Sequence, residues 1–174
     1  MGISVVCAAR GEGKTSFLRE YVARAGHRGR SVGGIAAPAV FEGGRRIGYD
    51  LIDLRGGSRR LLARVVASPE ATPNVGVYEF DDAATNAGNA AIISAVRDGL
   101  DLIAIDEVGP LEFRGKGWAA ALEIALGECL TTQELIVVVR LSLVDELPRR
   151  FPSPLWTEAS RISPPWPSLL PERP

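Results

Sequence analysis

The 174-residue chain has one histidine, His27, and two cysteines, Cys7 and Cys129. Those side chains fall short of the four Cys/His ligands a structural zinc site takes. Both cysteines lie in apolar segments, as small reduced core residues do. His27 stands in the turn Gly26-His27-Arg28-Gly29 with no nucleophile beside it, so it offers no acid–base pair and reads as a loop residue. Charge of one sign is scarce too: the formal net charge is -1, without the basic excess of a dedicated nucleic-acid binder. The pairs Arg45-Arg46, Arg59-Arg60 and Arg149-Arg150 have acids close by and read as solvated faces. No apolar run approaches the roughly 20 residues that span a bilayer. Residues 1–6 lack the basic region and cleavage site of a secretory signal, and Val6 stands where a myristoylation signal wants Ser or Thr. A cytoplasmic location away from membranes is the expectation.

What the chain does have is material for a core. Apolar residues make up 46% of it, which excludes disorder of the whole chain, and its length suits one domain. Residues 3–8 form a short β-branched run. Phe17, Leu18, Tyr21, Val22 and Ala25 then recur at three- and four-residue steps, the mark of an amphipathic helix, which Gly26 ends. Residues 31–40 read as weakly extended. A hairpin follows, with a turn at Glu42-Gly43-Gly44 and a second arm, 45–54, in which Ile47, Tyr49 and Leu51 alternate with Arg46, Gly48 and Asp50. Residues 59–66 suggest a helical turn, 69–73 a loop, 75–80 a strand and 83–98 a helix. The apolar runs 100–107 and 135–139 suit strands buried on both faces of a parallel sheet. Helices are expected over 117–129 and 143–150, and a last strand over 155–159. The alternation predicts an α/β domain over residues 1–162, with a mostly parallel sheet, right-handed crossovers and an inserted β-hairpin. Five of the twelve prolines fall in 163–174, a tail that can be neither helix nor central strand and is expected to drape over the surface.

The stretch Ala8-Ala9-Arg10-Gly11-Glu12-Gly13-Lys14-Thr15 follows the first strand and opens the first helix, the setting a phosphate-binding loop requires. Successive backbone N–H groups there point into one concavity, and the helix N-terminus adds partial positive charge. Residues 8–15 together with Ser16 are therefore the candidate nucleotide cradle. Lys14 would reach the β- and γ-phosphates and the Thr15 hydroxyl would bind Mg²⁺. The first position, usually Gly, is Ala8; Gly11 and Gly13 remain for backbone angles that need them. Of twenty basic residues only Lys14 and Lys116 are lysine, which makes a lysine at position 14 telling, since a slender point charge fits beneath a phosphate chain.

Asp106-Glu107 ends the most hydrophobic strand. Ligands of parallel sheets bind at the carboxyl ends of strands, so this pair and the loop should meet in one crevice. Asp106 suits the Mg²⁺ shell, because a hard cation takes carboxylate and water oxygens. Glu107 would orient or deprotonate a water. Arg140 ends the next strand, where it would sense the γ-phosphate or form a surface ion pair.

The residues at 43–54, at Val75-Gly76-Val77-Tyr78 and at Leu102-Ile103-Ala104-Ile105-Asp106-Glu107-Val108-Gly109-Pro110-Leu111-Glu112 resemble the small nucleoside-triphosphatase family of archaea, bacteria and animals, which includes the human cancer-related nucleoside-triphosphatase. The likeness runs from the first strand to about residue 151. It implies a three-layer P-loop NTPase domain, RecA/AAA-like, hydrolysing several nucleoside triphosphates (ATP and GTP among them) with Mg²⁺. By motif the loop lysine falls on Lys14, the metal residues on Thr15 and Asp106, and the catalytic acid on Glu107. The family's loop usually reads Gly-x-Pro-Gly where this chain has Ala8-Ala9-Arg10-Gly11, and its His-Arg pair is here Val139-Arg140. Two other readings stay open: a small-molecule kinase using the same loop, and a slow nucleotide-binding switch or assembly factor with a protein partner.

Overall fold

The chain runs β1 (Gly2–Ala8), α1 (Lys14–His27), β2 (Val32–Ala36), β3 (Ala39–Glu42), β4 (Arg45–Asp53), β5 (Arg59–Val65), β6 (Tyr78–Phe80), α2 (Asp82–Arg97), β7 (Leu102–Val108), α3 (Pro110–Phe113), α4 (Ala119–Glu128), β8 (Glu134–Arg140), α5 (Leu147–Arg150) and β9 (Ser160–Ile162). The computed structural model describes residues 2–66 and 78–167.

The strands form one sheet in the order β6-β5-β4-β2-β7-β8-β1-β9, with β3 paired on β4. The block β2-β7-β8-β1-β9 is parallel throughout. Side chains of its central strands alternate between two cores. Val5 and Cys7 of β1, Ile103 and Ile105 of β7, and Val137 of β8 pack with Ile92 of α2 and Leu122 of α4. Val6, Leu102, Ala104, Ile136 and Val138 pack on the other side with Phe17, Leu18 and Val22 of α1. That is the expected three-layer α/β arrangement. Full burial of each such Leu, Ile or Val contributes about 1.5–3 kcal/mol relative to exposure. Gly34, which weakens β2 as a strand signal, is required there: its φ is +89°, and a Cβ would stand 2.1 Å from the Ala104 carbonyl oxygen of β7.

The expected hairpin is present as β3–β4, and it grows further than the sequence suggests. Residues 59–66 form no helical turn; β5 pairs antiparallel with β4 and then with β6. Leu, Ala and Arg have good helix propensity, but pairing with β4 buries Leu62 and Ala63 and brings Arg59 to 2.5 Å from Asp50, and tertiary context overrides the local preference. The helix expected over 143–150 divides into a 3-10 turn, Leu141–Glu146, and α5. The strand expected over 155–159 is instead a 3-10 turn, Pro154–Glu158, capped by Ser153, because proline favours the first position of a helical turn; β9 begins only at Ser160. The loop expected at 69–73 and the first residues of the strand at 75–80 lie outside the described residues. In the tail, Trp166 stacks on Phe17 of α1 with ring centroids 5.0 Å apart. No described helix is long and apolar enough to cross a membrane.

Helix α2 begins on Asp81, whose carboxylate accepts the Ala84 N–H at 2.6 Å. Replacing this cap, Asp81→Ala, should lower stability by about 1 kcal/mol, read as a shifted midpoint in denaturant unfolding with an unchanged slope.

Candidate active site

The loop between β1 and α1 turns on Gly11 and Gly13, with φ of +87° and +82°. Ala8 closes β1 as ordinary strand, so the position that departs from glycine makes no demand for it. Lys14 is buried and its Nζ donates to the carbonyls of Ala8 at 3.1 Å and Ala9 at 2.9 Å. The Ala9 N–H donates to the Glu12 carboxylate at 2.7 Å. The Trp166 indole donates to the Glu12 carbonyl at 3.1 Å, tying the tail to the outside of the loop.

Asp106 and Glu107 reach the same crevice from β7, two strands away across β8. Asp106 is fully buried. Its carboxylate accepts the N–H groups of Ala37 and Glu107, each at 2.9 Å, and the Thr15 hydroxyl. Burial pushes its pKa up, the Glu107 charge adds to the rise, and these hydrogen bonds only partly offset both. Thr15 and Asp106 thus present two oxygen donors in contact, one of them a carboxylate whose ionised form lacks a countercharge. That donor set fits a hard divalent cation completing its shell with waters and phosphate oxygens.

Glu107 has φ +58°, a region that non-glycine residues rarely enter, and the pairing of β7 with β8 slips between Ile105 and Val108. The bulge re-aims one side chain without disturbing the strand around it. Glu107 borders three adjoining spaces: a mouth of about 290 Å³ along Gly13, Lys14, Thr15 and Ser16; a narrow throat of about 30 Å³ shared with Lys14 and Arg140; and a cavity of about 370 Å³ walled by Tyr49, Leu62, Tyr78, Phe80, Leu111 and Trp118. Outlying strain of this kind clusters at functional positions.

Glu112, the last residue of the acidic motif, holds the bulge from behind. It is buried, and its carboxylate accepts the Gly109 N–H at 2.7 Å and the Trp118 N–H at 3.0 Å. These bonds order the single turn α3, which has little burial of its own. Arg140 is exposed at the end of β8 and makes no ion pair among the described residues.

Arg46, Tyr49 and Tyr78 border the site although the sequence reading does not place them there. Arg10, a residue of the expected cradle, donates to the Tyr78 hydroxyl at 2.9 Å. Arg46 donates to the Tyr49 hydroxyl at 2.9 Å, and both residues border the mouth and the throat. Simple alternation along the second hairpin arm sets Arg46 on the solvent face opposite Ile47 and Tyr49. The bulge opposite Val40/Phe41, where Ile47 is the extra residue of β4, breaks that alternation, leaving Ile47 39% exposed and Arg46 beside the phosphate loop. No regular period signals this.

Residues 4–153 match the model of a family described as NTPase. The chain is 38% identical over 124 residues to nucleoside-triphosphatase THEP1 of Methanopyrus kandleri, covering 70% of this chain and 66% of that protein. It is 36% identical over 135 residues to nucleoside-triphosphatase THEP1 of Pyrobaculum aerophilum, covering 78% of this chain and 72% of that protein. The chain thus spans about two thirds of the length of these curated relatives. Among solved structures, that of a human cancer-related nucleoside triphosphatase is similar with a TM-score of 0.67, at 22% identity over 94% of this chain and 90% of that one. THEP1 from Aquifex aeolicus has the same TM-score at 20% identity, over 94% of this chain and 89% of that one.

Proposed function

Because the chain belongs to the NTPase family, we propose that it is a magnesium-dependent nucleoside-triphosphate hydrolase of broad base specificity, turning triphosphate and water into diphosphate and phosphate. The observation that carries the reading is the convergence of Lys14 and Glu107 on one throat at the carboxyl ends of parallel strands that flank β8.

Lys14 exchanges the Ala8 and Ala9 carbonyls for β- and γ-phosphate oxygens, while N–H groups of residues 9–16 line the phosphate chain. Thr15 and Asp106 would hold the magnesium ion, which when bound neutralises charge on the β- and γ-oxygens. Glu107 accepts a hydrogen bond from water in the throat and takes its proton as the water oxygen bonds to the γ-phosphorus. The bond from that phosphorus to the β-bridging oxygen breaks, and the proton leaves Glu107 to solvent. Nothing in these roles touches a base, hence the breadth proposed.

Phosphate release from ATP, GTP, CTP and UTP, with and without Mg²⁺, tests this. Lys14→Ala should weaken triphosphate binding about 10–100-fold, the loss of a charge-assisted contact of roughly 1.5–3 kcal/mol. Wild-type affinity and turnover in that variant would overturn the role of Lys14, and no phosphate release from the wild type would overturn the reading. The aromatic-walled cavity beyond Glu107 is the one observation that favours transfer to an acceptor other than water, and the same assay separates the two: a kinase would release little phosphate in buffer alone.

A further inference from the structure

The hairpin β3–β4 brings a cation to the phosphates that the roles above leave unused. Arg46 lies opposite Phe41, next to the point where the β3–β4 pairing slips. Its guanidinium carbon stands 5.4 Å from the ring centroids of both Phe41 and Tyr49, and one terminal N–H donates to the Tyr49 hydroxyl. Those three contacts fix the plane of the group. Its Nε is buried and has no hydrogen-bond partner among the described residues. Leaving such a donor unpaired is costly, and natural folds seldom do so without a ligand or water to complete it.

Position narrows what completes it. The mouth runs along Thr15 and Ser16, and the throat holds Lys14 and Glu107. Arg10 and Arg140 border the throat but not the mouth, and Arg19 borders the mouth but not the throat. Arg46 borders both, as a group spanning the last phosphate would. Arg10 is also engaged with the Tyr78 hydroxyl.

We propose that Arg46 is a further catalytic residue: its guanidinium contacts the γ-phosphate and stabilises the negative charge that spreads over its outer oxygens as the water attacks. The hairpin thereby supplies within one chain the arginine that some nucleotide hydrolases take from a partner. A planar fork matches two phosphate oxygens where an ammonium matches one, and Phe41 and Tyr49 pre-set its direction, so little reorganisation is needed at the moment of reaction. The assignment rests on the hydrolase reading and adds to it a residue whose removal strikes the chemical step alone.

The test compares Arg46→Ala and Arg46→Lys with wild type, Lys14→Ala and Glu107→Gln, after thermal melts show that the variants are folded. Arg46→Ala should lose about 10²–10³-fold in kcat, with KM and nucleoside-diphosphate affinity within about threefold of wild type. Arg46→Lys should recover only a minor part of that loss. Millimolar guanidinium ion should restore part of the rate to Arg46→Ala and none to Lys14→Ala. Binding of diphosphate with aluminium fluoride, which mimics the transferring phosphoryl group, should weaken in Arg46→Ala while binding of diphosphate alone does not. A kcat within threefold of wild type, or a loss shared equally by diphosphate affinity and untouched by guanidinium, overturns the assignment of Arg46 while leaving the hydrolase standing. Absence of phosphate release from the wild type would instead remove the hydrolase reading on which it rests, and full activity in Lys14→Ala and Glu107→Gln would remove the site.

Discussion

Glu107→Gln should bind nucleoside triphosphate as the wild type does and release phosphate about 10³-fold more slowly, the middle of the range for loss of a positioned general base. The substitution keeps size and shape, so the left-handed backbone at φ +58° meets no new demand. Asp106 is bonded to the Glu107 backbone N–H and not to its side chain, so the neighbouring donor set stays in place. Removing the Glu107 charge also relieves a repulsion that pushes the pKa of Asp106 up. Affinity for Mg²⁺ with a non-hydrolysable triphosphate should therefore be unchanged or higher. Single-turnover phosphate release alongside titration of a fluorescent nucleotide measures both. Hydrolysis within tenfold of wild type would remove Glu107 from the chemical step, and a parallel loss of binding would make its role one of holding substrate.

The elements that bring Lys14 and Glu107 together were legible because each rests on a local pattern. Gly11 and Gly13 supply positive φ inside a strand-to-helix turn, and the apolar run into Asp106 could only be a strand buried on both faces. Two such strands in one parallel sheet must place their carboxyl ends at the same edge, here on either side of β8. The four-stranded extension was legible only in its first hairpin, since the Gly43-Gly44 turn is a local signal and the pairing of β5 with β4 is not. Residues 59–65 carry leucine, alanine and arginine that suit a helix equally well; an antiparallel neighbour and the Asp50–Arg59 ion pair decide the matter. Arg46 lay beyond reach for a related reason. One-residue slips reverse which side chain faces inward, and the extra residue Ile47 in β4 interrupts the period beside Arg46. The strand expected at 155–159 failed differently: its apolar residues are real, but Pro154 starts a helical turn that delays extension until Ser160.

Glu112 carries a consequence for stability that its place in the acidic motif does not announce. Burial pushes its carboxyl up to about 7, against the pull of the Trp118 and Gly109 N–H groups that it accepts. In the unfolded chain the group returns to its ordinary value near 4.5. Between those two values the folded protein holds a proton that the unfolded chain has lost, so stability falls as pH rises across the window. The contribution is fully present below about pH 4.5 and gone above about pH 7. A difference of that size corresponds to roughly 3 kcal/mol, a large share of a domain's usual margin. Asp106 is raised too and shares the window, so the effect of Glu112 is read by difference: wild type should lose about 3 kcal/mol more than Glu112→Gln between pH 4.5 and 7.5 in denaturant unfolding. The amide cannot ionise, and its NH₂ faces one of the two N–H donors, so the variant should be the less stable protein at pH 5 with the gap narrowing toward neutrality. A gap that stays constant across the window would show that Glu112 is ionised in the fold at every pH tested, its two N–H bonds outweighing its burial. The same measurement bears on the site, because those two bonds tie the connection that follows the Glu107 bulge to the start of α4. A carboxyl that titrates near neutrality there would loosen or tighten the wall behind the attacking water, and the pH profile of kcat in Glu112→Gln should then lose a limb near 7 that the wild type shows.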